Sequence, residues 1–222
     1  HLSLKRFNYC IIMEENRFCN GYFGRYPYEG AYVNLKPTNF SPDIHNDAYL
    51  DEFDMHIADH TTLLACSARE GELINGQWQF SVDRYNRCFR DRWFDEKYYD
   101  ERGNPLPVDF NFDRWDAVHV PSCWNLQKEA HFFYEGNAVY TRRFKYRNRG
   151  ESHVFLQFEG ATGLARVFLN GNHVGTHKGG STPFSVEITD FLLDDNRVIV
   201  AVDNTCSQTS VPPDHTDWFN YG

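Results

Sequence analysis

The run Arg166-Val-Phe-Leu-Asn-Gly-Asn-His-Val174 constrains the fold more than any other part of the chain. Asn170-Gly171 suits the two positive φ angles of a type I′ turn, because glycine has no Cβ to clash and asparagine tolerates the left-handed region. Such a turn closes two antiparallel strands, so a hairpin is expected here. The segment before it agrees. In His153–Phe158 the residues Val154, Leu156 and Phe158 point one way and Phe155 and Gln157 the other, which makes a strand with one buried face. Residues 77–83, 138–146, 184–188 and 197–202 read as further strands, about seven in all, with residues 189–195 as a short turn or single helical turn between the last two. Short alternating runs punctuated by turns predict an all-β antiparallel sandwich rather than a helical fold.

Two stretches stand outside that pattern. Residues 90–116 are charged and aromatic with a turn at Gly103-Asn104-Pro105, and they are expected to run over the surface rather than enter the core. Residues 1–70 are broken by Tyr26-Pro27, Lys36-Pro37 and Ser41-Pro42 and carry one helical hint at residues 47–58. They are expected to form an irregular extension ahead of a sandwich domain that spans 71–222. Leu63-Leu64-Ala65-Cys66 mimics a lipid-attachment box but lies deep in the chain behind charged residues, and it is set aside.

Composition narrows the function classes. Thirty-one Asp and Glu against 22 Lys and Arg give a formal charge of −9, which repels polyanions and argues against nucleic acid as a partner. No run approaches the roughly 18 apolar residues of a membrane span, and no secretory leader opens the sequence. A membrane partner is therefore not expected. The six cysteines, Cys10, Cys19, Cys66, Cys88, Cys123 and Cys206, show no CxxC pair, so they are expected as free thiols in a reducing, cytoplasmic compartment. His173 and His177 lie four apart, but on strand and turn rather than helix, and no metal site or other cofactor is expected.

Particular motifs carry the reading further. Leu73-Ile-Asn-Gly-Gln-Trp-Gln-Phe80 with Asp83, Val120-Pro-Ser-Cys-Trp-Asn125 and Gly136-Asn-Ala-Val-Tyr-Thr-Arg-Arg-Phe144 come in order. They are followed by Phe158-Glu-Gly-Ala161, the Asn170-Gly171 hairpin, His177-Lys-Gly-Gly-Ser-Thr-Pro-Phe184 and Val202-Asp-Asn204. Pro212-Pro213 and Asp217-Trp-Phe-Asn-Tyr-Gly222 close the set. From residue 73 to 222 this ordered set resembles the N-terminal sugar-binding domain of glycoside hydrolase family 2, most closely the β-glucuronidase branch. The resemblance implies a jelly-roll sandwich of the galactose-binding-domain type. Most of the motif residues have structural explanations: Trp78, Trp124 and Phe184 as core residues, Gly179-Gly180 as a tight turn or close approach, Asn170-Gly171 as a turn only. Asp203 and Asn204 read as turn chemistry at a strand end.

For substrate, the resemblance implies one loop. Asp217 would reach a neighbouring catalytic barrel and accept hydrogen bonds from sugar hydroxyls, since a carboxylate offers about four lone-pair sites and donates none. Asn220 and Tyr221 would shape that loop and contact sugar. The family's two catalytic glutamates, about 5–5.5 Å apart in a retaining enzyme, belong to a barrel beyond residue 222, so no residue here is assigned as catalytic. Glu159 and Glu187 are expected as solvated strand residues. The implied partners are a β-glycoside, the catalytic barrel and a homo-oligomer of the complete enzyme. β-Galactosidase specificity and a free-standing carbohydrate-binding module are the alternatives.

Overall fold

The computed structural model describes residues 10–15, 70–95, 98–99, 105–106, 111–147, 153–180 and 182–206. Within them the strands are β1 (Cys10–Glu15), β2 (Glu70–Leu73), β3 (Gly76–Val82), β4 (Tyr98–Tyr99), β5 (Pro105–Leu106) and β6 (Asp116–Val120). They continue with β7 (Asn137–Lys145), β8 (His153–Phe158), β9 (Leu164–Leu169), β10 (Asn172–Lys178), β11 (Phe184–Glu187) and β12 (Asp195–Asp203). One sheet runs β10-β9-β12-β7-β3-β6 and a second β11-β8-β1-β2, with β4 and β5 as a separate ribbon. Every pairing among the described strands is antiparallel.

The period-2 pattern explains how the two large sheets meet. Trp78 and Phe80 of β3, Tyr140 and Phe144 of β7, and Val198, Val200 and Val202 of β12 turn to one side of the six-stranded sheet. There they form one core with Val154, Leu156 and Phe158 of β8 and Phe184 and Val186 of β11. Trp78, Trp124 and Phe184 are all buried, as expected of core residues. Trp124 has no exposed surface, and its ring lies 5.8 Å from Phe80 and 6.1 Å from Tyr140. Phe158 and Phe184 stack at 4.7 Å across the β8–β11 pair. The hairpin turn also forms as expected, with φ of 50° at Asn170 and 86° at Gly171.

Asn170 does more than turn the chain. Its Nδ2 donates to the Phe191 carbonyl and to Asn196 Oδ1, both at 2.8 Å, and its Oδ1 accepts from the Arg197 amide at 2.9 Å. The β9–β10 turn is thereby tied to the entry of β12.

Three stretches differ from the sequence reading. Within the expected irregular extension, Cys10–Glu15 is a strand inserted between β8 and β2. The helical hint at 47–58 lies outside the described residues. Asp116–Val120 is an additional edge strand beside β3.

The third difference concerns residues 90–116, which were expected on the surface. Trp93, Phe94 and Phe112 are buried, and with Cys88 and Phe89 they cover the outer face of the six-stranded sheet. That face needs a cover because β7, β9 and β12 are apolar on both sides: Val139, Phe168, Ile199 and Ala201 point outward. Phe94 stacks on Phe168 at 4.2 Å, and the Arg197 guanidinium sits 4.5 Å from the Phe112 ring centre. Charge density misled the reading because the charged residues alternate with the aromatics that do the packing. Burial, reinforced by the Asp83 carboxylate, pushes the Cys88 thiol well up, so it packs as a neutral group. Among the described residues no helix is long and apolar enough to cross a membrane.

Candidate functional site

Three strand ends converge at one end of the sandwich. β3 leaves at Asp83, β7 enters at Asn137, and β12 leaves at Asp203, which is paired with Asn137 in register. Asp83 fixes this corner. Its Oδ1 accepts from the Arg87 amide at 2.8 Å and its Oδ2 from the Cys88 amide at 2.7 Å and from Asn137 Nδ2 at 3.3 Å. One carboxylate thus caps the helical turn that begins the outer cover and holds the start of β7.

The loop between β6 and β7 closes the corner, and Asn125 shapes it from below. Buried at 3% exposure, its Nδ2 donates to the carbonyls of His131 at 3.0 Å and of Phe132 and Tyr134 at 3.1 Å. The middle of the loop is tied to β6 by the Lys128–Asp116 ion pair, and His131 Nε2 stands 3.6 Å from the same carboxylate. Lys128, with a smaller contribution from His131, holds the Asp116 carboxyl below the usual carboxylate range. So pinned, the loop turns Phe133 outward at 77% exposure, with Phe132 edge-on to it at 4.8 Å.

Between this loop and the strand ends lies a cleft of about 690 Å³, within the size range of ligand sites. Tyr134 forms one wall, its hydroxyl donating to the Asn137 carbonyl at 2.6 Å. Burial, then Asp83 and Asp203, push its phenol up to about 12, so it remains a donor at neutral pH. Asp203 forms another wall, with Oδ1 accepting from the Thr205 amide at 2.9 Å and hydroxyl at 2.6 Å.

Asn204 is fully buried behind Asp203, and its Oδ1 accepts from the Gly136 amide at 2.8 Å. The turn chemistry expected at 203–204 is present at Asp203, which bonds Thr205, while Asn204 ties the strand end to Gly136. Gly163 is required here: its φ is +79°, and a Cβ would fall 2.0 Å from the Asp203 carbonyl oxygen.

Asp217, Asn220 and Tyr221 lie outside the described residues, as do Pro212 and Pro213. The described chain leaves the sandwich at the cleft, through Asp203–Cys206. Sequence reasoning did not single out Phe133, Tyr134 or Asn137. The signal available was the aromatic run Phe132-Phe133-Tyr134, placed just before the Gly136-Asn137 strand start. Glu187 is exposed and paired with His153 at 2.7 Å, and Glu159 accepts from Gln157 at 2.9 Å, so each has a local structural partner. His173 and His177 each meet a threonine hydroxyl, Thr176 at 2.9 Å and Thr182 at 3.1 Å. No group of three or more His, Cys, Asp or Glu side chains among the described residues could hold a metal.

The antiparallel two-sheet arrangement defines the class as an all-β sandwich domain, with a polar and aromatic cleft at its strand ends. Within that class the chain belongs to glycosyl hydrolase family 2: the family's sugar binding domain matches residues 72–222. It is similar to a β-galactosidase of Thermoanaerobacterium thermosulfurigenes, 37% identical over 67% of this chain and 19% of that protein. It is also similar to a β-glucuronidase of Paenibacillus borealis, 27% identical over 68% of this chain and 24% of that protein. Among solved structures, a β-glucuronidase of an uncultured Clostridium species superposes with a TM-score of 0.58 at 26% identity, over 71% of this chain and 28% of that one. The chain thus spans about a quarter or less of the length of these sequence relatives.

Proposed function

We propose that this chain is the N-terminal domain of a retaining β-glycosidase of the β-glucuronidase type, which lends one substrate-contacting loop to a catalytic barrel. The family match over 72–222 carries the reading, because it includes the Asp217-Trp-Phe-Asn-Tyr-Gly222 segment in order with the sandwich motifs. In this reading Asp217 accepts hydrogen bonds from hydroxyls of the glycone, and Asn220 and Tyr221 hold the loop's shape. Two barrel glutamates perform the displacement. A cytoplasmic location belongs to the same proposal, supported by Cys88 and Cys123 standing as thiols.

β-Galactosidase specificity is the second reading, favoured by the higher identity to the T. thermosulfurigenes protein. The test is to assay the polypeptide that carries this chain together with its barrel on aryl β-glucuronide and aryl β-galactoside. A preference for galactoside replaces the first reading by the second. In the same enzyme Asp217→Ala is expected to reduce kcat/KM by about 100-fold or more, on the scale of a lost charge-assisted contact, with Tm near wild type. Unchanged kinetics would remove Asp217 from the site.

A further inference from the structure

We propose that the β6 edge of the six-stranded sheet is a latent pairing surface for a second copy of this chain, and that the Gln127 side chain keeps it shut. This surface lies outside the hydrolase reading and does not depend on it.

Among the described strands β6 ends the six-stranded sheet and pairs only with β3. Its backbone groups alternate between β3 and the open side. His119 faces the open side: its amide donates to Gln127 Oε1 at 2.6 Å, and its carbonyl accepts from Gln127 Nε2 at 3.2 Å. One side-chain amide thus makes both of the bonds that a neighbouring strand would make at this residue.

Ala117 lies two residues earlier, so its N–H and C=O face the same open side, and it is exposed. The β6–β7 loop is anchored on both sides of it. Gln127 holds His119, while Lys128 pairs with Asp116 and His131 Nε2 stands 3.6 Å from that carboxylate. The loop therefore follows the edge with side chains, in the place where an added strand would run.

An uncovered strand edge is a template for another strand. A second copy fits this one because two antiparallel β6 strands centred on Ala117 set its N–H and C=O against the same groups of the other copy. In that register Asp116 lies opposite Val118, so no carboxylate of one β6 faces a carboxylate of the other. Gln127 occupies the space the second strand needs. Without its amide, the His119 groups would join those of Ala117 in a continuous row of open donors and acceptors.

The experiment is sedimentation velocity on the 222-residue chain, run from about 1 μM to about 100 μM to span weak and moderate dimers. An ionic strength of about 0.15 M screens the repulsion between copies of charge −9. Gln127→Ala is expected to raise the weight-average mass with concentration, to as much as about twice that of wild type at the same concentration, since an isologous pair closes as a dimer. Adding Ala117→Pro should abolish that rise, because it removes an outward N–H and no bond to β3. Gln127→Glu, which keeps the side chain's length but cannot donate to the His119 carbonyl when ionised, should associate in the same way but more weakly.

A mass equal to wild type for Gln127→Ala at every concentration would overturn the proposal, and so would association that survives Ala117→Pro. Loss of the native tryptophan emission in Gln127→Ala would overturn it too, because the amide would then hold the fold rather than guard an edge. Glycosidase activity plays no part in this readout, so a failed hydrolase assay leaves it standing, and the reverse also holds.

Discussion

Asn125→Ala tests how the loop beside the cleft is held. One buried amide nitrogen serves three carbonyls, those of His131, Phe132 and Tyr134, at 3.0–3.1 Å. Alanine removes both N–H donors and leaves three acceptors facing a small gap beside the fully buried Trp124. A buried carbonyl without a partner costs about 1–3 kcal/mol, and water entering from the cleft side can relieve part of that. The net loss expected is about 3 kcal/mol, or a fall in Tm of about 6–12 °C for a domain of this size.

Asn125→Asp should be worse than alanine, because it aims a carboxylate at three carbonyl oxygens. Urea unfolding followed by tryptophan fluorescence gives the stability. Limited proteolysis within 129–135 reports whether the loop opens before the sandwich does. A change below about 0.5 kcal/mol for Asn125→Ala, the range of ordinary surface substitutions, would refute the claim that this amide holds the loop.

At the same corner, Gly163→Ala should cost about 3 kcal/mol or more in urea unfolding, since its Cβ meets the Asp203 backbone as well as bearing the left-handed penalty. Gly180→Ala has only ordinary contacts beyond 3.6 Å and should stay within about 0.5 kcal/mol. For Asp116, a folded-state pKa below the unfolded one means its pairing with Lys128 stabilises above the ordinary carboxylate range and is lost as pH falls through the folded pKa. The midpoint of urea unfolding should therefore drop less steeply with acid, below about pH 4, in Asp116→Asn than in wild type.

The sequence by itself determined the sandwich. Alternation in His153–Phe158 and the Asn170-Gly171 turn are local signals, because a strand's face and a type I′ turn depend on neighbours a few residues away. The ordered motifs determined the family for the same reason: Trp78, Asp83, Trp124 and Asn125 are recognisable as letters in a row. What those letters do was decided only by tertiary structure. Asp83 gains its meaning from Cys88 and from Asn137, 54 positions away, and Asn204 from Gly136, 68 positions away.

Residues 90–116 were misjudged from sequence because nothing local says that a charged, aromatic stretch will be met by an apolar outer sheet face. That face exists only once β7, β9 and β12 lie side by side. The cleft was invisible for the same physical reason. It is the space left where three strand ends and one loop fail to close, and its lining residues span more than a hundred positions of chain before folding brings them together.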